Sequence, residues 1–250
     1  MISIFKKTVK IRKSLESVLI GIIVLIVSIT TTHAQSNELL QSRIRLFEAW
    51  LNTLMSDQSL RGVSVSLVQN QKLIYAKGFG VSDFEKQSPA TESTNYRIAS
   101  ITKLFTSIAL MQLVERKKIF LDTPVVEIIP ELRAIKTNGH SVEDITIKSI
   151  LTHTTGLPTN PNFLLDKRGQ NQALVLDEFL KGLAQQSLLF PPNRIHKYSN
   201  LAMNLGGLIV ERVSGLSYEQ YIQEVILTPL QLESTRFPTD SETTKVIGYS

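Results

Sequence analysis

A serine and a lysine three residues apart can make an activated nucleophile without histidine, and Ser100-Ile101-Thr102-Lys103 is such a pair. Ile101, Leu104, Phe105, Ile108 and Met111 follow at helical spacing, so the run reads as a helix with Ser100 in its first turn. Residues at i and i+3 share a helix face, which lets the Ser100 hydroxyl and the Lys103 amine meet. The free N–H groups and positive dipole end of a first turn favour developing negative charge there. A helix apolar nearly all round is expected to be buried. Burial penalises a charged lysine, so Lys103 is expected to serve as a neutral base. The plainer alternative is a capping serine followed by an exposed lysine. The tetrad alone does not decide, because Ser3-Ile4-Phe5-Lys6 has the same spacing.

Two further segments carry groups of the right kind. Tyr198-Ser199-Asn200 stands at the head of a helical run, and Ile150-Leu151-Thr152-His153-Thr154-Thr155-Gly156-Leu157-Pro158 lies between it and Ser100. A tyrosine beside a cation can lower its pKa and pass a proton to a leaving group. His140, His153 and His196 lack ligand spacing and no His-Glu-x-x-His occurs, so no metal and no other cofactor is expected. His153 reads as a packing or hydrogen-bonding residue of its loop. There is no Gly-x-Ser-x-Gly elbow and no Gly-rich phosphate loop.

In this order, Ser100–Lys103, the His153 loop and Tyr198–Asn200 make the chain resemble the serine β-lactamase and penicillin-binding-protein superfamily, in its class C β-lactamase, DD-peptidase and esterase branch. The resemblance runs from about Ser36 to the end. It implies an α/β (α+β) fold, an antiparallel sheet flanked by helices with an inserted helical domain. It makes Ser100 the nucleophile, Lys103 its base or electrostatic partner, Tyr198 the general acid/base and Asn200 the residue that hydrogen-bonds the substrate amide. The implied reaction is acyl transfer through a Ser100 acyl-enzyme on a β-lactam, a D-Ala-D-Ala peptide or a small ester or amide. Where the family has Pro-Gly before the tyrosine motif this chain has Pro192-Asn193. The family's third motif, Lys-Thr-Gly or His-x-Gly on a later strand, does not occur in the 250 residues. The resemblance therefore implies an enzyme cut short before its C-terminal strands. The alternative is a catalytically incompetent member acting as a binding or scaffold protein.

Around these motifs the elements read as follows. Ser36–Met55 is an amphipathic helix, Gly62–Val68 alternates as a strand, Gln69-Asn70-Gln71 turns, and Lys72–Gly80 returns as its hairpin partner. Ser82–Asn95 reads as a loop. Past the Ser100 helix, Pro124 opens a short helix and Thr146 caps another over Ile147–Thr152. Asn160–Asn171 is irregular, and Leu176–Leu188 is helical. Asn200–Val213 is a helix whose Gly206-Gly207 admits a close neighbour, with Gly215 as its C-cap and a capping box at Ser217–Gln220. A hairpin alone is not a stable sheet, so further strands are expected.

Composition bounds the rest. At 42% hydrophobic and 20% charged the chain is an ordinary globular one. Of the formal +5, residues 1–34 carry +4, leaving +1 for residues 35–250, so nucleic acid is excluded as a partner. Basic residues to Lys13, twelve uncharged residues from Val18 to Ile29, and small residues before Gln35 form a secretory signal over 1–34. A spanning helix needs nearer ~20 apolar residues, so membrane association is expected only if the signal is uncleaved. With no cysteine there is no disulfide framework. The expectation is a monomeric periplasmic or secreted domain over 35–250, with helix and hairpin over 35–99 and a mainly helical part over 100–235, acting on a small-molecule or peptide substrate.

Overall fold

The two-residue turn at Asn70-Gln71 has both residues in the left-handed region, φ 49° and 64°, which lets it follow the right-handed twist of the strands it joins. It joins β1 (Gly62–Gln69) to β2 (Lys72–Asp83) in antiparallel register, Val65 opposite Lys77 and Val63 opposite Phe79. The computed structural model describes residues 33–83, 85–160 and 176–237. The signal reading over 1–34 therefore lies almost wholly outside the described residues, as does the irregular stretch from 161. No described helix is long and apolar enough to cross a membrane.

The chain divides into two compact units, at Tyr96/Arg97. In the first, α1 (His33–Gln58) lays Phe47, Leu51 and Met55 against Phe79, with Val63, Val65 and Tyr75 around them. Glu48 accepts from the Tyr75 hydroxyl at 2.9 Å and the Lys77 ammonium at 2.8 Å, tying the helix to the hairpin. Of the further strands expected, one short one lies among the described residues: Ser88–Pro89 forms β3 beside β2, giving the order β1-β2-β3. It lies inside the segment read as a loop. Two residues of ladder leave no alternation to read, and a proline fits such an edge position.

The second unit is helical. A 3₁₀ turn, Ala99–Ile101, leads into α2 (Thr102–Glu115). Then come α3 (Val125–Ile128), α4 (Ile147–Leu151), α5 (Leu176–Leu183), α6 (Asn200–Ser214) and α7 (Tyr218–Tyr221), the last continued by a π-helical stretch to Leu227. Local signals placed these ends. Thr146 and Ser149 form a capping box, as do Ser217 and Gln220, and Gly215 closes α6 at φ 76°. Leu110, Ile147, Ile150, Leu201, Leu205 and Ile209 are fully buried where α2, α4 and α6 meet. Gly206 permits that approach: a Cβ there would sit 3.3 Å from both Leu110 and Thr106.

Two expectations change. The helix from Leu176 ends at Leu183, not Leu188, because Lys136 takes the chain into a parallel bridge. The Lys136 N–H donates to Gln186 O at 3.0 Å and the Leu188 N–H donates to Lys136 O at 2.9 Å. Nor is α2 buried all round. Ala109, Leu110 and Leu113 are in the core, while Ile101 is 61% and Leu104 58% exposed. Apolar residues stand on more than one face of the run and a polar one, Thr106, is buried, so the pattern hides which face packs; here it is the side carrying Thr106, Leu110 and Leu113.

Candidate active site

The 3₁₀ turn starts from a backbone that an alanine rarely adopts: Ala99 has φ 43°. Positive φ at a non-glycine residue is a strain that persists where surroundings enforce it, often beside functional groups. It sets Ser100 at the mouth of α2, exposed, with its hydroxyl between two partners. Lys103 Nζ donates to Ser100 Oγ at 3.2 Å, the i,i+3 contact that the tetrad allows. Tyr198 Oη lies 2.8 Å from the same oxygen, ninety-eight residues along the chain. Lys103 Nζ also sits 5.0 Å from the Tyr198 ring centroid, over its face.

Electrostatics follow from this arrangement. The Lys103 ammonium first, and the Ser100 hydroxyl second, hold the Tyr198 phenol below its ordinary pKa, against a smaller opposing effect of burial. Lys103 itself is only half-buried, not enclosed as the apolar run led one to expect. The exposed Ile101 and Leu104 leave that end of α2 open to water. The contact of Lys103 with Ser100 Oγ is open to either role, base or electrostatic partner.

Tyr198 is positioned by the loop that precedes it. Ser199, fully buried, caps α6: its Oγ accepts from the Ala202 N–H at 3.0 Å and donates to Pro158 O at 2.7 Å. Thr159 Oγ1 donates to Tyr198 O at 3.0 Å, and the Asn200 N–H donates to Thr159 O at 2.7 Å. Asn193, standing where the family has glycine, takes the left-handed conformation at φ 61° and donates its N–H to Thr154 O at 2.7 Å. Asn200 is not the cap. Its Nδ2 donates to Asn160 Oδ1 at 2.6 Å, so three of the four expected residues converge and the fourth is held beside them by Asn160. Ser199 was legible as a cap from its residue type ahead of a helical run. Asn160 and the strained Ala99 carry no such signal.

A cavity of about 600 Å³ opens beside Lys103, lined by Thr106, Phe179, Met203, Gly207 and Tyr218 among others. Thr106 Oγ1 and Tyr218 Oη are bonded to each other at 2.7 Å, and Glu211 Oε1 accepts from the Tyr218 N–H at 2.9 Å. The cavity's lining mixes apolar side chains with Lys103, Asn204, Glu211 and Glu219.

Residues 47–246 match the beta-lactamase family model. The chain belongs to the beta-lactamase family. The protein flp of Staphylococcus aureus strain MW2 is 33% identical over 193 residues, which cover 75% of this chain and 37% of that protein. Esterase EstB of Burkholderia gladioli is 30% identical over 199 residues, 76% of this chain and 50% of the esterase. Among solved structures, an octameric penicillin-binding protein homologue from Pyrococcus abyssi superposes with a TM-score of 0.64 at 33% identity, covering 75% of this chain and 43% of that one. This beta-lactamase family chain thus has the β-lactamase-like α/β fold, antiparallel sheet and helices together. It spans half or less of the length of these relatives.

Proposed function

We propose that the chain is an exported serine hydrolase working through a Ser100 acyl-enzyme. The observation that carries this is the convergence of Lys103 Nζ at 3.2 Å and Tyr198 Oη at 2.8 Å on the Ser100 hydroxyl. Ser100 Oγ attacks the substrate carbonyl carbon while its proton passes to the Tyr198 phenolate. The phenol then protonates the leaving alcohol or amine as the C–O or C–N bond breaks. Water repeats the sequence on the acyl-enzyme, giving its proton to Tyr198 and releasing the acid. Lys103 remains a cation throughout, favouring the phenolate and the oxyanion side of the reaction. The Ser100 backbone N–H supplies one oxyanion donor, and Asn200 accepts the role of substrate-amide partner by exchanging its bond to Asn160.

The substrate class is that of small esters, amides, β-lactams or D-Ala-D-Ala peptides, and the esterase relative at 30% identity supports an ester among them. The cavity beside Lys103, with Phe179, Met203 and Leu208 in its lining, gives room for an acyl chain. Export rests on the charge and apolar pattern of residues 1–34. An intact mass beginning at Gln35 supports it, and a mass retaining Met1 refutes it. A second reading is binding without turnover. Chromogenic short-chain esters and a chromogenic β-lactam separate the two. Turnover that Ser100→Ala abolishes supports hydrolysis. Saturable binding of a folded chain with rates equal in wild type and Ser100→Ala supports the second.

A further inference from the structure

The exposed phenol of Tyr198 owes its place to more than its own backbone, and His153 stands at the point where the restraints meet. His153 has φ 55°, a conformation costly for most side chains. Its carbonyl accepts from the Lys197 N–H at 2.8 Å, and its Nδ1 accepts from the Ser199 N–H at 3.2 Å. One residue therefore clamps both sides of Tyr198. Its ring also lies on the Tyr198 ring, centroids 4.8 Å apart and tilted by 40°. Lys103 Nζ sits 5.0 Å from the same centroid, so the phenol ring has an imidazole and an ammonium as its neighbours.

Such a clamp works only in one protonation state. Nδ1 must be bare to accept from Ser199, so the ring proton belongs on Nε2. The surroundings agree: burial, then His196 and Lys103, disfavour the imidazolium. His196 faces the ring edge-on at 6.1 Å.

Resting on the proposed hydrolase reading, we infer that His153 is a positioning residue for the reaction: neutral, Nε2-protonated, it fixes the Tyr198-Ser199 peptide through Nδ1 and lays the phenol against Lys103 and Ser100. It touches no substrate. Its effect is on how far Tyr198 is an acid and on kcat, not on binding.

Two variants avoid backbone strain, since glycine and asparagine both accept φ near 55°. His153→Gly removes the imidazole; His153→Asn restores an acceptor close to Nδ1. The first readout needs no turnover. Ultraviolet titration of tyrosinate, taken as the difference from Tyr198→Phe in each background, isolates Tyr198 among the six tyrosines. In wild type Tyr198 titrates below the ordinary tyrosine value; in His153→Gly it moves back up, and in His153→Asn it stays depressed. The second readout is ester hydrolysis: His153→Gly loses at least about tenfold in kcat with KM within about threefold, and His153→Asn recovers most of it. A folded His153→Gly whose Tyr198 titration and kcat match wild type overturns the inference and leaves the hydrolase reading standing. A depressed Tyr198 that His153→Gly relaxes, in a chain that never turns over, supports the positioning role while sinking the hydrolase. If His153→Gly does not fold, the ¹⁵N shifts of His153 in wild type decide: a bare, accepting Nδ1 supports the clamp, and a protonated Nδ1 refutes it.

Discussion

Tyr198→Phe removes one oxygen and little else. The phenylalanine ring keeps its contact with His153, at 4.8 Å between centroids, and its place 5.0 Å beneath Lys103 Nζ. The deleted hydroxyl belongs to a residue 40% exposed, bonded to an exposed serine at 2.8 Å. Its loss should change stability by no more than ~0.5 kcal/mol, the range of surface substitutions. The chemical consequence is far larger. A positioned general acid/base contributes about 10²–10⁴-fold. At about 1.36 kcal/mol per tenfold, Tyr198→Phe should raise the barrier by roughly 3–5 kcal/mol. The assay is steady-state hydrolysis of a short-chain nitrophenyl ester with a thermal melt of each sample. A loss of at least about a hundredfold in kcat, with KM little changed and an unaltered melt, is expected. If Tyr198→Phe keeps kcat within about threefold while Ser100→Ala abolishes turnover, Lys103 does the proton transfer and the assignment of Tyr198 is wrong.

Three other outcomes follow from the geometry. Gly156→Ala places a Cβ 2.1 Å from the Phe190 carbonyl oxygen in a residue at φ 78°, so it should cost more than ~3 kcal/mol and disturb the loop that carries His153; a melting temperature close to wild type would refute this. Leu110→Ala opens a void where a fully buried leucine meets α6, and should lower stability by ~3 kcal/mol or more in urea unfolding; a loss under ~1 kcal/mol would contradict the packing described. The Arg212 guanidinium holds Glu131 down to about 2 through paired bonds of 2.7 and 2.8 Å. The folded pKa lies below the ordinary 4.5, so this contribution is present above that pH and lost as pH falls through about 2. With Glu131 37% exposed it is worth at most ~1 kcal/mol. The stability gap between wild type and Glu131→Gln should therefore close between neutral pH and pH 2; a gap independent of pH would refute it.

What the sequence made legible is local, and what it hid depends on distant partners. The Asn70-Gln71 turn, the capping boxes at Thr146 and Ser217, and the Gly215 terminus rest on neighbours within four residues, so residue types alone specify them. The Ser100–Lys103 contact is of the same kind. Tyr198 could be named but not placed, because its bond to Ser100 closes a separation of ninety-eight residues. The early end of α5 was hidden because Lys136, fifty-one residues before Ser187, supplies the competing ladder. The half-exposed α2 defeated the inference from composition to burial. Asn200 shows the same limit. Its residue type allows a cap or a substrate contact, and only the position of Asn160 reveals that its amide is engaged otherwise.

If Ser100 is a nucleophile activated by Lys103 and Tyr198, it should be open to covalent labelling. The folded chain is incubated with a fluorescent penicillin and, separately, with a fluorophosphonate, then digested and mapped by mass spectrometry. A single adduct is expected on the peptide containing Ser100, absent from Ser100→Ala and formed far more slowly by Tyr198→Phe. A folded chain that forms no adduct with either reagent, or labels equally after Ser100→Ala, would contradict it.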